Sequence, residues 1–489
     1  MKKIHVIIKD LPERIGTIFS TEENEGLAKN LTFAMVSQGV GLLSSVLMSL
    51  VVPKVLGVEE YAFWQLFMLY ATYSGLALLG VNDGIYLKLG GQRYYELNKS
   101  ELKSQIAVVT IFQLVVGAIC LALICSADID AGRRFVFIFV VIYGLVANLT
   151  SCLRYVFQST NLTQLSSLAD LIARVPYLIC VVCIVASGGS VAGPFIIFYT
   201  ICQALGLAYI AICARSILKA KNDWTCAFKD CLSDIRSGIK ITISYYADQL
   251  IVGITRMMVD WRFGLSAFGK LSFSFSMTNF VLIFIGQVSM VIFPVLKRLS
   301  KENQKRKYLQ LRVALNIILP FAYLLYVPLR VVLGLWLPQY GESLLYLALT
   351  MPLCIYSCKA NFLFNTYLKM GRREGVLCRA NVLTTLVNAF LSAVAIYVFG
   401  SIEWAAVGIV VSVAFRDFAF ERYMAKNLGL PYLRAWMSEM LLSACFMTVS
   451  WVLGLWSWPA VAGLLAVYIV VNRQDSKETI ALLKMKMHK

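Results

Sequence analysis

Runs of mostly apolar residues long enough to cross a bilayer as helices, roughly 20 residues each, recur along this chain. They lie near 31–53, 61–82, 104–125, 135–157, 165–187 and 192–214, then 240–258, 269–295, 310–336, 344–367, 377–399 and 403–424, then 434–455 and 457–472. About fourteen membrane-spanning helices are predicted. The fold class is therefore an all-α integral membrane protein. Its expected parts are an N-terminal segment 1–30, a six-helix bundle 31–219, a basic linker 220–239, a second six-helix bundle 240–426, two further helices within 433–472 and a tail 473–489.

A short pattern occurs twice. Gly57-Val-Glu-Glu-Tyr61 follows the first span, Gly264-Leu-Ser-Ala-Phe268 follows the seventh, and each leads into an aromatic-rich span. An even number of spans separates the copies, so the halves share one orientation and are expected to be related by a pseudo-twofold axis along the membrane normal. In bundles of this kind a transported substrate is expected at the cleft between halves. The second copy replaces Glu59 and Glu60 by Ser266 and Ala267, so the shared features are a glycine and an aromatic residue. Pro53, Gly57 and Gly264 are accordingly read as corners on which each bundle turns, with no chemistry of their own.

Composition agrees with a polytopic membrane protein: 59% of the 489 residues are hydrophobic and 15% charged, against about 45–50% and about 25% in soluble domains. The formal net charge of +18 is distributed unevenly. If the N-terminus is cytoplasmic, the inside segments collect Lys88, Arg93, Lys99 and Lys103, the set from Arg215 to Lys240, Lys297 to Lys307, and Lys369 to Arg379. The outside connections hold little beyond Lys54, Arg133, Arg134, Arg262, Lys270 and Arg330. This asymmetry predicts that both termini are inside, and it explains the basic charge without nucleic acid as a partner. Tryptophans at 64, 261, 336, 404 and 458 are expected at the outer interface and those at 224 and 436 at the inner one.

Most of the thirteen cysteines sit in apolar runs, where cysteine acts as a small hydrophobe. Cys180 and Cys183 form a C-x-x-C with no partner cluster, and the two histidines, His5 and His488, stand at the chain ends. No metal site, cofactor or histidine-based catalysis is expected, nor a soluble domain to house an enzyme site.

Ionisable residues within the predicted spans carry the candidate chemistry, since each costs at least about 2.5–3.5 kcal/mol at the bilayer centre. Ser167, Asp170, Arg174 and Tyr177 form one stripe on the fifth span, and Tyr245, Gln249, Arg256 and Asp260 one on the seventh, close to Asp248. Lys359 follows Pro352 and Tyr356 on the tenth, and Arg154 lies near the inner end of the fourth. Asp170 with Arg174 and Arg256 with Asp260 are i, i+4 pairs that either neutralise one another or serve function. Arg154 either snorkels to the headgroups or joins a basic cleft. Arg174, Arg256, Lys359 and Arg154 are the candidates for binding an anion, and arginine fits phosphate oxygens bidentately. Asp170, Asp248 and Asp260 would orient those cations or carry a coupling proton. On the first span Ser37, Gly41, Ser44 and Ser45 line one face, either for close helix packing or as a lining for sugar hydroxyls.

The stretch P-K-V-L-G-V-E-E-Y, the exit G-V-N-D-G-I-Y-L-K-L-G-G, and S-F-S-M-T-N-F running to F-P-V-L-K-R-L at 293–299 resemble the bacterial polysaccharide repeat-unit flippases of O-antigen and capsule synthesis. That family belongs to the superfamily of multidrug and toxin extruders and peptidoglycan-precursor flippases. The resemblance implies a V-shaped pair of six-helix bundles, alternating access, and an undecaprenyl-pyrophosphate-linked oligosaccharide as cargo in the bacterial cytoplasmic membrane. It implies membrane lipids, a polysaccharide polymerase and chain-length machinery as partners. A hydrated basic cleft would suit such cargo, because each unpaired hydroxyl taken into lipid costs roughly 2 kcal/mol or more.

The first two spans carry no arginine within the membrane, unlike the peptidoglycan-precursor flippases, and no acid in the first, unlike many multidrug extruders. Both cargoes are demoted. A cation-coupled small-molecule antiporter stands as the alternative reading, and a membrane polymerase or ligase below it.

Overall fold

The computed structural model describes residues 22–225, 227–297, 301–371, 373–429 and 433–473. The predicted N-terminal segment up to residue 21, the tail from 474 on, and Arg298 and Leu299 of the 293–299 motif lie outside the described residues. Among those described, the chain is helical throughout: α1 (Glu22–Val46), α2 (Val52–Tyr73), α3 (Val81–Leu89), α4 (Lys99–Ser126), α5 (Ala131–Ser159), α6 (Thr163–Ala186), α7 (Ala192–Cys213) and α8 (Ala227–Lys297), followed by α9 (Lys301–Ile318), α10 (Tyr326–Trp336), α11 (Gly341–Thr350), α12 (Pro352–Lys359), α13 (Asn365–Met370), α14 (Glu374–Ala393), α15 (Ile402–Leu428), α16 (Leu433–Leu453) and α17 (Ser457–Val471). Among the described residues eight helical stretches are long and apolar enough to cross a membrane, with a ninth if the bent pair from Pro338 to Met370 counts as one span. The predicted spans lie on helical stretches, but 31–53, 61–82, 310–336 and 344–367 each run from one helix into the next, and 240–258 and 269–295 share α8. Large apolar side chains such as Leu123, Ile212, Leu335 and Val470 are exposed, as expected of surfaces that face lipid rather than water.

Helix starts follow local sequence. Asp130 accepts from the Arg133 N–H at 2.8 Å and Ser401 from the Trp404 N–H at 3.1 Å, which satisfies backbone donors left unpaired in a first turn. Breaks follow it too. Gly57 and Gly264 interrupt their helices at φ 71°, ψ 177° and φ 84°, ψ 179°, a region open essentially to glycine alone. The repeated motif thus marks one backbone device used twice, and the aromatic four residues after each glycine, Tyr61 and Phe268, is fully buried. A Cβ at either glycine would meet nothing within 4 Å, so conformation alone demands glycine there. Replacing Gly57 or Gly264 by Ala is expected to cost about 1–3 kcal/mol each, read as a lowered unfolding midpoint of the purified protein.

Two compact units divide the chain: Met1–Ser45, Tyr70–Gly188 and Gly193–Ile239 form one, and Val46–Leu69, Gly189–Ala192 and Lys240–Lys489 the other. The corner stretch Val46–Leu69 therefore groups with the second half of the sequence. Its packing there is intimate, since a Cβ on Gly269 would fall 2.6 Å from that of Ala62. Tyr61 meets Phe273 and Tyr340 edge-on, and the Tyr340 hydroxyl donates to the Gly57 carbonyl at 3.0 Å. Trp64 is buried against Phe67, whereas Trp261, Trp404 and Trp458 are exposed.

In the first unit the linker is fixed to the bundle. The start of α8 crosses α3 so closely that a Cβ on Gly84 would lie 2.1 Å from the Asp234 carbonyl oxygen, and one on Gly238 2.1 Å from that of Gly80. Glycine at both positions permits the contact. The Asp234 side chain, buried outside the predicted spans, accepts from Gln105 Nε2 at 3.2 Å. Burial pushes its carboxyl up to about 6 against the opposing pull of Lys88, with Asp230 and Glu101 adding to the rise. The folded state therefore holds this proton more tightly than the unfolded chain, whose carboxyl titrates near about 3.9. Its contribution to stability is full below that value and is lost as pH rises through about 6. An Asp234→Asn variant is expected to unfold with less dependence on pH across that window than the wild type.

Candidate functional site

In the first unit, α5 and α6 bring Arg154 and Asp170 together. The contact is bidentate: Arg154 Nη1 meets Asp170 Oδ1, and Nη2 donates to Oδ2, both at 2.8 Å. Such fork-to-fork geometry is the strong form of the arginine–carboxylate pair. Asp170 is thereby committed to Arg154, so the i, i+4 pairing with Arg174 does not form, and Arg154 does not simply snorkel.

Arg174 is left half-buried and, among the described residues, makes no hydrogen bond or ion pair. Its guanidinium lies against the backbone of α1, where a Cβ on Gly41 would fall 2.3 Å from Nη1. The small-residue face of the first span thus provides a notch for an arginine at Gly41. Two arginines against one aspartate leave this site with a net positive charge. Three tyrosines extend it: the Tyr199 ring stacks on Tyr143 at 5.5 Å and meets Tyr177 edge-on at 5.0 Å.

The second unit holds the remaining candidates. Arg256 is half-buried, donates from Nε to Ser272 Oγ and from Nη2 to Gln65 Oε1, both at 3.0 Å, and lies over the Phe268 ring. Gln65 Nε2 in turn donates to the Tyr61 hydroxyl at 2.6 Å. Both aromatic residues of the repeated motif therefore support Arg256. Asp260, one turn further along α8, is buried. Asp248 accepts from Arg416 Nη1 on α15, a partner its own helix does not supply.

Lys359 is placed differently from the expectation of an anion-binding cation. It is 1% exposed and ringed by carboxylates: Glu439 Oε2 at 2.7 Å, Asp417 Oδ2 at 3.2 Å and Glu421 Oε1 at 3.6 Å. Arg312 Nε donates to Glu421 Oε2 at 3.0 Å. The ammonium has no open face for a phosphate, so Lys359 is corrected here from an anion-binding candidate to the centre of an internal charge network. Sequence inspection missed Arg312, Asp417, Glu421 and Glu439. A signal existed, because Asp417 and Glu421 are one turn apart inside an apolar span. The helix resumes after Lys359 as a π turn, Ala360–Phe364, a form often found at functional positions. Among the described residues no group of three or more His, Cys, Asp or Glu side chains is arranged to hold a metal ion.

Neither a family model nor a curated protein matches the sequence. Solved structures do. The fold matches that of the lipid II flippase MurJ. An inward closed conformation of that protein aligns with a TM-score of 0.61 at 11% identity, over 92% of this chain and 99% of that one. An inward-facing multidrug resistance MATE family transporter of the MOP superfamily aligns with a TM-score of 0.52 at 13% identity, over 82% and 98%. A MATE structure in complex with MaL6 gives 0.51 at 11% identity, over 83% and 96%. At these identities the likeness is one of fold.

Proposed function

We propose that this protein is a flippase that carries undecaprenyl-pyrophosphate-linked oligosaccharide repeat units from the cytoplasmic to the outer leaflet of a bacterial cytoplasmic membrane, by alternating access. The observation that carries this reading is Arg174, a half-buried guanidinium inside a predicted span that makes no hydrogen bond or ion pair among the described residues. Such a charge is costly to hold there, and a cargo pyrophosphate would offset that cost with two parallel hydrogen bonds. Arg154 and Asp170 position the site, and the half-buried Tyr143 and Tyr199 offer faces on which sugar rings rest. The MurJ-like fold supports a lipid-linked cargo and a non-enzymatic role. Both termini lie on the cytoplasmic side in this scheme, and a polymerase with chain-length machinery receives the product.

The MATE-like fold favours a second reading, a small-molecule antiporter. Deletion in the native host separates the two. The flippase reading predicts loss of surface polysaccharide, restored by the wild-type gene but not by correctly inserted Arg174→Ala or Arg256→Ala, with unchanged drug susceptibility. Intact surface glycan together with new drug sensitivity would favour the antiporter.

A further inference from the structure

The network around Lys359 contains more negative than positive groups. Asp417 and Glu421 come from α15, Glu439 from α16, Lys359 from α12 and Arg312 from α9, and each is at most 7% exposed. Three carboxylates thus face two cations in an enclosed space. Among the described residues the polar groups reaching it from neighbouring elements bring no further cation: Tyr356 from α12 and Tyr323 from the turn Leu319–Leu325 both bond Ser443 Oγ, at 3.1 and 2.8 Å. On α17, Tyr468 donates to the Asn316 carbonyl, and Arg416 beside Asp417 is taken by Asp248.

Three buried atoms in this group have no hydrogen-bond partner: Asp417 Oδ1, Glu439 Oε1 and the Tyr308 hydroxyl. Tyr308 is 1% exposed, stands one turn before Arg312 on α9, and has Glu421, Arg312, Lys359 and Asp417 as its charged neighbours. An uncompensated buried charge costs several kcal/mol, and closely placed carboxylates do not all ionise together.

We propose that this cluster is a proton-binding site: one exchangeable proton resides on its carboxylates, on Asp417 Oδ1 at rest. The choice of Asp417 follows from the distances. Glu439 has the short bond to Lys359, Glu421 has Arg312, and Asp417 keeps only the longer contact at 3.2 Å. Uptake forms one O–H bond and brings the cluster from one net negative charge to neutral, while release reverses this with no other bond broken. The cluster lies within one unit, where α9, α12, α15 and α16 meet, so protonation alters how these helices attract one another. Its use in driving a transport cycle rests on the transporter reading above, whereas the bound proton does not.

Infrared spectroscopy of the full-length protein in lipid bilayers at neutral pH, in ordinary and heavy water, tests the proton alone. The wild type is expected to show a deuterium-sensitive carboxylic C=O band. Asp417→Asn, which mimics the protonated side chain in shape and charge, is expected to lose it and to keep the wild-type unfolding midpoint. Glu421→Gln is expected to lose it too, because two carboxylates then face two cations. A band that persists unchanged in both variants would overturn the proposal, as would its absence from the wild type. Failure of Asp417→Asn to fold would also contradict it, since a neutral residue is what the site is said to hold. None of these outcomes depends on the cargo.

Discussion

Replacing Lys359 by Met is expected to cost about 3–5 kcal/mol, the usual penalty for removing one partner of a buried ion pair. The ammonium is the common partner of Glu439, Asp417 and Glu421, and without it three buried carboxylates face Arg312 alone. With native domains stable by only about 5–15 kcal/mol, such a loss is severe. It should appear as a collapse in the amount of monodisperse protein recovered from the membrane and a strongly lowered unfolding midpoint. Adding Glu439→Gln to Lys359→Met is expected to recover much of the loss, because it removes the acid left most exposed by the first change. A Lys359→Met protein as stable as the wild type would show that the carboxylates are satisfied in some other way.

Arg174→Ala is expected to have the opposite profile, with little effect on stability and a large one on transport. Among the described residues its guanidinium makes no hydrogen bond or ion pair, so truncation leaves no orphaned carboxylate behind. A charged hydrogen bond to the cargo is worth about 1.5–3 kcal/mol, which corresponds to a loss of about tenfold or more in affinity. Arg174→Lys should restore charge but not the bidentate fit and fall between the two. Gly41→Val should act on the same step from the other side, since a side chain there occupies the space of Arg174 Nη1. Flipping measured with each variant in vesicles, beside its unfolding midpoint, separates the two kinds of effect.

The helical architecture is legible because a bilayer demands long apolar runs, and each run names itself. The corners are legible for a related reason: Gly57 and Gly264 hold a backbone conformation that other residues avoid, so the glycine recurs when its flanking acids do not. Side-chain pairing is another matter. Helical spacing offers Asp170 to Arg174, but a helix on the other side of a loop supplies Arg154 with better geometry. Lys359 shows no acid on its own helix because its partners Asp417 and Glu439 lie 58 and 80 residues further on. Charges near predicted span ends, such as Arg312 and Glu439, read as interfacial in one dimension and turn out buried in three. Periodicity describes the face a residue occupies, and only packing decides what that face meets.

The central claim is that Arg174 reads the charge of a lipid-linked cargo. It is tested most directly by reconstituting the full chain in lipid vesicles and following movement of an undecaprenyl-pyrophosphate-linked oligosaccharide between leaflets. Wild-type protein should flip this substrate, and Arg174→Ala, equally folded and inserted, should do so about tenfold more slowly or worse. Equal rates for the two proteins would contradict the account.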